Sequence, residues 1–139
     1  MRDASAADIP HIVDLGERMA ARAGLQGHVG YDRESVAQTL AQLIESPDGI
    51  LICSDTGMIG GICHPHPFNL GVKAGQELFW YSEGEDGLQL LEACEAKAKA
   101  LGCQFWTMIC EETLRPKAVG RLYERRGYRL LEHSYIREL

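Results

Sequence analysis

The apolar positions of this chain fall into alternating helix-like and strand-like blocks. Ile12, Val13, Leu15, Met19 and Ala20 share one face of a helix, with Asp8 as N-cap or just before it, Pro10 in its first turn and Gly24 at its end. Residues 27–30 read as a loop. Asp32 then caps a second helix that buries Val36, Leu40, Leu43 and Ile44 and closes near Pro47-Asp48-Gly49. Ile50–Cys53 and Met58–Cys63 are two strands around Asp55-Thr56-Gly57, a hairpin signal that puts Gly57 where a positive φ is needed. Gly60-Gly61 marks a bulge or a close backbone approach. Residues 64–75, with Pro65, Pro67 and Asn69, read as an irregular loop.

The pattern continues with an apolar, aromatic strand over Leu78–Tyr81. After a glycine-containing turn, Leu88, Leu90, Leu91 and Cys94 carry a helix to about Leu101, with Gly102 behind it. Gln104–Cys110 is a strand, Pro116 opens a helix over Lys117–Arg126, and Gly127 stops it. Tyr128–Leu139 alternates enough for one or two final strands. With an edge strand at Met1–Ala4, the expected order is β-α-α-β-β-β-α-β-α-β. That is a single domain over residues 1–139, a mixed α/β sheet with helices on both faces and with Trp80 and Trp106 in the sheet core.

Charge narrows the function classes. The net charge of −6 argues against nonspecific binding to nucleic acid or a membrane surface. Six of the 14 basic residues, Arg115, Lys117, Arg121, Arg125, Arg126 and Arg129, are nevertheless gathered in one segment. They are either a phosphate-contacting cluster or a solvated helix face with Glu124 pairing nearby. No apolar run reaches the roughly 20 residues of a membrane span, and Asp3 and Asp8 interrupt any signal-peptide pattern. Five cysteines without a CxxC pair indicate reduced thiols and a cytoplasmic setting. Cys63-His64-Pro65-His66 resembles a metal-ligand run, but a free cysteine ending a strand is commonly a small buried hydrophobe, and no metal site is assigned.

The stretch Gln76–Leu91 carries the chemistry. A strand, a glycine turn and a helix in succession aim backbone N–H groups and a helix N-terminus at one point, an arrangement that suits a phosphate and also serves as a plain connection. Three further matches span the chain. Met1-Arg2-Asp3-Ala4 with Ala7-Asp8-Ile9-Pro10 is similar to an R-x-A-x-x-x-D opening, and Glu77-Leu78-Phe79-Trp80-Tyr81 through Leu90-Leu91 to Glu95 is similar to an acyl-donor strand and its helix. Val119-Gly120-Arg121-Leu122-Tyr123-Glu124-Arg125-Arg126-Gly127-Tyr128 resembles A-x-x-L-Y-x-x-x-G-F and is the most specific. Together they resemble the GCN5-related N-acetyltransferase (GNAT) family, in wording most like its small phage- and prophage-encoded members.

The resemblance implies a GNAT fold and transfer of an acetyl group from acetyl-CoA to a primary amine, by direct transfer in a ternary complex. It implies Tyr123 as general acid, against the alternative of a tyrosine packed on the sheet. Glu77 is the candidate base, or a strand-end carboxylate in solvent, and His64 and His66 are base candidates on their loop. Phe79, Trp80, Tyr81, Ser82, Gly84, Gly87, Leu88 and Pro116 are the implied cofactor-binding residues. The implied partners are a small-molecule or protein amine, no nucleic acid and no membrane. Tyr135 and Ile136 on a last strand suggest a homodimer.

The chain departs from the family in the loop Ser82–Gly87. Ser82 stands where a basic residue is usual, and Glu85 where the first glycine is. A like charge 5–6 Å from a phosphate costs around 3 kcal/mol at an effective dielectric of 20. This loop supports the alternative of a catalytically inactive GNAT-like module with a structural or host-interacting role in a phage.

Overall fold

The computed structural model describes residues 1–24 and 29–139, so the first half of the expected 27–30 loop lies outside the described residues. Its elements are β1 (Arg2–Asp3), a 3-10 turn (Ala6–Asp8), α1 (Ile9–Ala23), α2 (Arg33–Glu45), β2 (Gly49–Cys53), β3 (Gly57–His66), β4 (Asn69–Ser82), α3 (Gly87–Ala100), β5 (Phe105–Thr107) and α4 (Pro116–Arg125). The sheet order is β1-β2-β3-β4-β5, antiparallel throughout except for the parallel pair β4–β5.

Local chemistry explains the helix ends. Asp8 accepts from the Ser5 N–H and hydroxyl at 2.9 Å, fixing the chain before α1. Gly24 leaves α1 with φ +69°, a conformation that costs a residue bearing a Cβ. The Asp32 carboxylate caps α2 by accepting from Ser35 N–H at 3.1 Å.

The alternation of β2 then sorts the core. Leu51 and Cys53 face α1 and α2, packing with Ile12, Leu15, Leu40 and Leu43. Ile50 and Ile52 face α3 and α4, packing with Leu90, Leu91, Cys94 and Tyr123. Helices therefore cover both faces, as a nearly all-apolar strand requires. All five cysteines are free thiols, and among the described residues no helix is long and apolar enough to cross a membrane.

Four expectations are corrected. Residues 64–75 are an extended β3–β4 hairpin arm rather than an irregular loop, because Pro65 and Asn69 are accommodated where the ladder is already irregular, near its end. Gly57 has no positive φ; it lies within β3, where a Cβ would come within 2.6 Å of Leu90 Cδ1 and 2.9 Å of Tyr81 O. The turn before it is made by Ser54, whose Oγ accepts from the Thr56 and Gly57 N–H groups. The strand expected over Gln104–Cys110 is only Phe105–Thr107, and Tyr128–Leu139 forms no strand. Leu130, Leu131, Tyr135 and Ile136 are exposed there, unpaired with the sheet edge at β5.

Gly60-Gly61 is both a bulge site and a close approach. Gly60 pairs with Phe79 and Gly61 with Glu77, which leaves Leu78 as the extra residue on β4. A Cβ on Gly61 would lie 2.5 Å from Trp106 Cη2 and 2.6 Å from Gln76 O. Gly61→Val is therefore expected to cost about 1–3 kcal/mol by overpacking. The check is the urea midpoint at constant m, and an unchanged midpoint would contradict this packing.

Candidate active site

The bulge at Leu78 is followed by a parting of strands. β4 and β5 pair only at Ala74↔Phe105, Gly75↔Trp106 and Gln76↔Thr107, after which β4 runs on to Ser82 without β5 beside it. A bulge bends its strand and ends regular pairing, so the opening is built into the register. A cavity of about 130 Å³ occupies it, lined by Leu78, Phe79 and Trp80 of β4, Met19 and Ala23 of α1, Val119 and Tyr123 of α4, and Glu77, Ile109, Glu111 and Leu114.

Glu77 and Tyr123 meet there through one residue. The Ile109 N–H donates to Glu77 Oε2 at 2.9 Å, and the Tyr123 hydroxyl donates to Ile109 O at 2.8 Å. Glu77 is mid-strand and only 5% exposed, which corrects the reading of it as a solvated strand-end carboxylate. Burial pushes its carboxyl up to about 7; the Ile109 N–H pulls the other way, and nearby Glu111 adds to the rise. Burial first, and then the Glu77 charge, push the Tyr123 phenol far above its ordinary value, so it remains protonated at neutral pH. Its ring is tilted against Trp80 and Tyr128, with centroids 6.2 and 5.5 Å away.

The other sequence candidates divide by position. Phe79 and Trp80 line the cavity, whereas Tyr81 turns to the α1 face and donates to Glu83 at 3.0 Å. Ser82 ends β4, Gly84 lies in the turn after it, and Gly87 and the exposed Leu88 start α3, where the Gly87 carbonyl accepts from Trp80 Nε1 at 3.0 Å. Pro116 begins α4 but lines a different cleft, about 660 Å³, with Phe105, Trp106 and Tyr128. His64 and His66 sit on the hairpin arm and do not line the cavity. Sequence reasoning missed Ile109, Glu111 and the α1 end; the charge of Glu111-Glu112 just after a strand was the available signal.

Acetyl-CoA would meet this chain at two places, the cavity and the loop between β4 and α3. Its thioester end has room beside the bare edge of β4. The loop fits the diphosphate poorly, because several of its donors are already engaged, although no side chain caps the first turn of α3. Glu83 N–H donates to Thr56 O at 2.8 Å and Gly84 N–H to Ser82 Oγ at 3.0 Å. Ser82 Oγ and Thr56 Oγ1 donate to Asp86 Oδ1 at 2.5 and 3.1 Å. Glu83 is turned away toward α1, where Arg18 grips both its oxygens. Among the described residues, Arg126 of the basic cluster pairs with Glu92 and Glu95 of α3.

No family model and no curated protein sequence matches the chain. Solved structures do. A transcriptional regulator from Bacillus halodurans superposes with a TM-score of 0.76 at 18% identity, covering 99% of this chain and 97% of that one. A ribosomal-protein-alanine N-acetyltransferase from Brucella melitensis biovar Abortus gives 0.68 at 15% identity, covering 99% and 96%. An aminoglycoside 6'-N-acetyltransferase from Acinetobacter haemolyticus gives 0.69 at 15%, again covering 99% and 96%. The chain is similar to these in fold: a GNAT-type mixed sheet between two helical layers.

The buried Glu77 has a thermodynamic signature. Its folded pKa, about 7, exceeds the ordinary 4.5, so the folded state keeps a proton that the unfolded chain releases. Its contribution is therefore present below pH 4.5 and lost as pH rises through 7. Glu77→Gln keeps an acceptor for Ile109 and removes this loss. Relative to its own standing at low pH, the variant should gain up to roughly 3 kcal/mol on wild type at pH 8. Denaturant unfolding of both proteins at the two pH values checks it, and a pH-independent difference would contradict the buried carboxyl.

Proposed function

We propose that the protein is an N-acetyltransferase that moves an acetyl group from a thioester directly to a primary amine, with both substrates bound at once. The observation that carries this reading is the pairing of a buried carboxyl with a raised pKa and a buried phenol on either side of Ile109, inside a cavity at the parting of two strands.

The roles follow from the proton inventory. A carboxyl that titrates at about 7 is matched to take a proton from an ammonium group at neutral pH, which makes Glu77 the base. Tyr123 keeps its proton in the same conditions and can give it to a leaving thiolate. The nitrogen–carbonyl carbon bond forms and the carbon–sulfur bond breaks; the ammonium gives one proton to Glu77 before attack, and its second, lost from the nitrogen after attack, replaces the proton that Tyr123 gives to the thiolate. The edge of β4 beyond Gln76 has no strand partner and offers backbone groups to an extended, amide-bearing donor, in the manner of an added strand. Acetyl-CoA is the donor the fold brings to mind, and the thioester end is the part this cavity supports. Glu77 and Glu111 are the carboxylates lining the cavity, and no Lys or Arg lines it among the described residues, which favours a cationic amine.

The engaged loop favours a second reading, a non-catalytic module on the same fold. The cavity itself stands against that reading, since Glu83, Glu85 and Asp86 do not line it. The exposed apolar tail beside the β5 edge further supports a second copy of the chain as partner. A monomer by light scattering across micromolar concentrations would remove that copy.

Thiol release from S-acetylpantetheine and from acetyl-CoA, measured against a panel of primary amines, tests the function. Turnover should rise as pH passes about 7, where Glu77 loses its proton. Tyr123→Phe should lower kcat about 100-fold with little change in KM. No thiol release from either donor with any amine would contradict the enzyme reading.

A further inference from the structure

The start of α3 is the position at which this fold would seat a diphosphate, since a loop and a helix N-terminus converge there. In this chain a carboxylate of its own stands beside that point, turned onto two hydroxyls rather than capping the helix. Asp86 is the N-cap residue of α3, and its Oδ1 takes the hydroxyls of Ser82 and Thr56, the first at 2.5 Å. The hydroxyls of Ser54, Ser82 and Thr56 hold the Asp86 carboxyl below the usual carboxylate range, so it is ionised at neutral pH. Of these, Ser82 and Thr56 bond to it directly, while Ser54 Oγ donates to Gly57 O beside them. The loop is drawn tightly onto the β2–β3 turn: a Cβ on Gly84 would run into Thr56 Oγ1 and would lie 3.4 Å from Asp86 Oδ1. Arg18, the cation that reaches the loop, is held by Glu83 instead.

We infer that Asp86 is a specificity-determining residue: its carboxylate stands beside the anion position at the head of α3 and directs the chain to a pantetheine-type thioester that brings no diphosphate to this loop. The inference rests on the acyl-transfer reading of the cavity and narrows its donor. The chemistry at Glu77 and Tyr123 is unaffected, because a thioester that stops at the pantetheine arm reaches the same cavity along the bare β4 edge. A donor with a diphosphate must either displace Asp86 from two hydroxyls or place its charge beside an ionised carboxylate, and both weaken its binding.

Binding isotherms for S-acetylpantetheine and acetyl-CoA at one fixed salt concentration test this, with wild type, Asp86→Asn and Asp86→Ser. Asn retains an acceptor for the two hydroxyls and Ser is itself a good helix cap, so one variant serves if the other melts early. Wild type should bind the two donors within about threefold of each other, and the variants should bind acetyl-CoA about tenfold more tightly with S-acetylpantetheine unchanged. Acetyl-CoA binding wild type at least about a hundredfold more tightly than S-acetylpantetheine would overturn the inference, as would unchanged acetyl-CoA affinity in both variants. In either case binding of S-acetylpantetheine would leave the acyl-transfer reading standing. Failure of every protein to bind either donor would overturn that reading and the inference with it.

Discussion

The functional geometry of this chain depends on one hydrogen bond in an apolar surrounding, the donation of the Ile109 N–H to the Glu77 carboxylate. β4 and β5 cease to pair at Gln76 and Thr107, and Glu77 is the next residue along. Its side chain takes up a backbone donor that would otherwise point into the opening without a partner, which is costly in a dry interior. The other end of Ile109 accepts from Tyr123, and this ties α4 to the same point. The strand gap, the helix that closes it and the two titratable groups are thus fixed together. The Leu78 bulge immediately after Glu77 makes the gap a property of the register rather than of a mobile loop.

Much of this frame was legible in the sequence because it is written locally. Asp32 before a 3.6-period run, Gly24 and Gly102 behind helices, and Pro116 at a first turn each act within a few residues of where they stand. Gly60-Gly61 announced a bulge, though the sequence did not show that the extra residue would be Leu78 on the partner strand. What was not legible depends on distant partners. Glu77 looked solvated because its burial comes from Ile109, which lies far along the chain. The 64–75 arm looked irregular because its prolines and Asn69 argue locally for a loop, while cross-strand pairing with β3 overrides them. Tyr128–Leu139 alternates like a strand yet does not pair with the open sheet edge at β5, and alternation alone does not make a strand.

The two ends of the site differ in how they treat charge. In the cavity, burial raises the Glu77 carboxyl to about 7, where it can gain or lose a proton near neutral pH. At the loop, hydroxyls hold the Asp86 carboxyl below the usual carboxylate range and keep it ionised. The same functional group, a carboxyl, is shifted in opposite directions by desolvation in one place and by hydrogen-bond donors in the other. The acidic loop, an oddity in the sequence, becomes a consistent feature once Glu83 is seen turned onto Arg18 and Asp86 seated on Ser82 and Thr56.

The central claim is that Glu77 is a buried carboxyl poised for proton exchange at neutral pH, and its titration can be watched directly. Carboxyl carbon NMR of glutamate-labelled protein, assigned by comparison with Glu77→Gln, reports its midpoint without a substrate. The account predicts a midpoint at about 7, well above the ordinary glutamate value of 4.5. A Glu77 signal titrating at about 4.5 would mean the carboxylate stands in water, and the proposed base in this cavity would be lost.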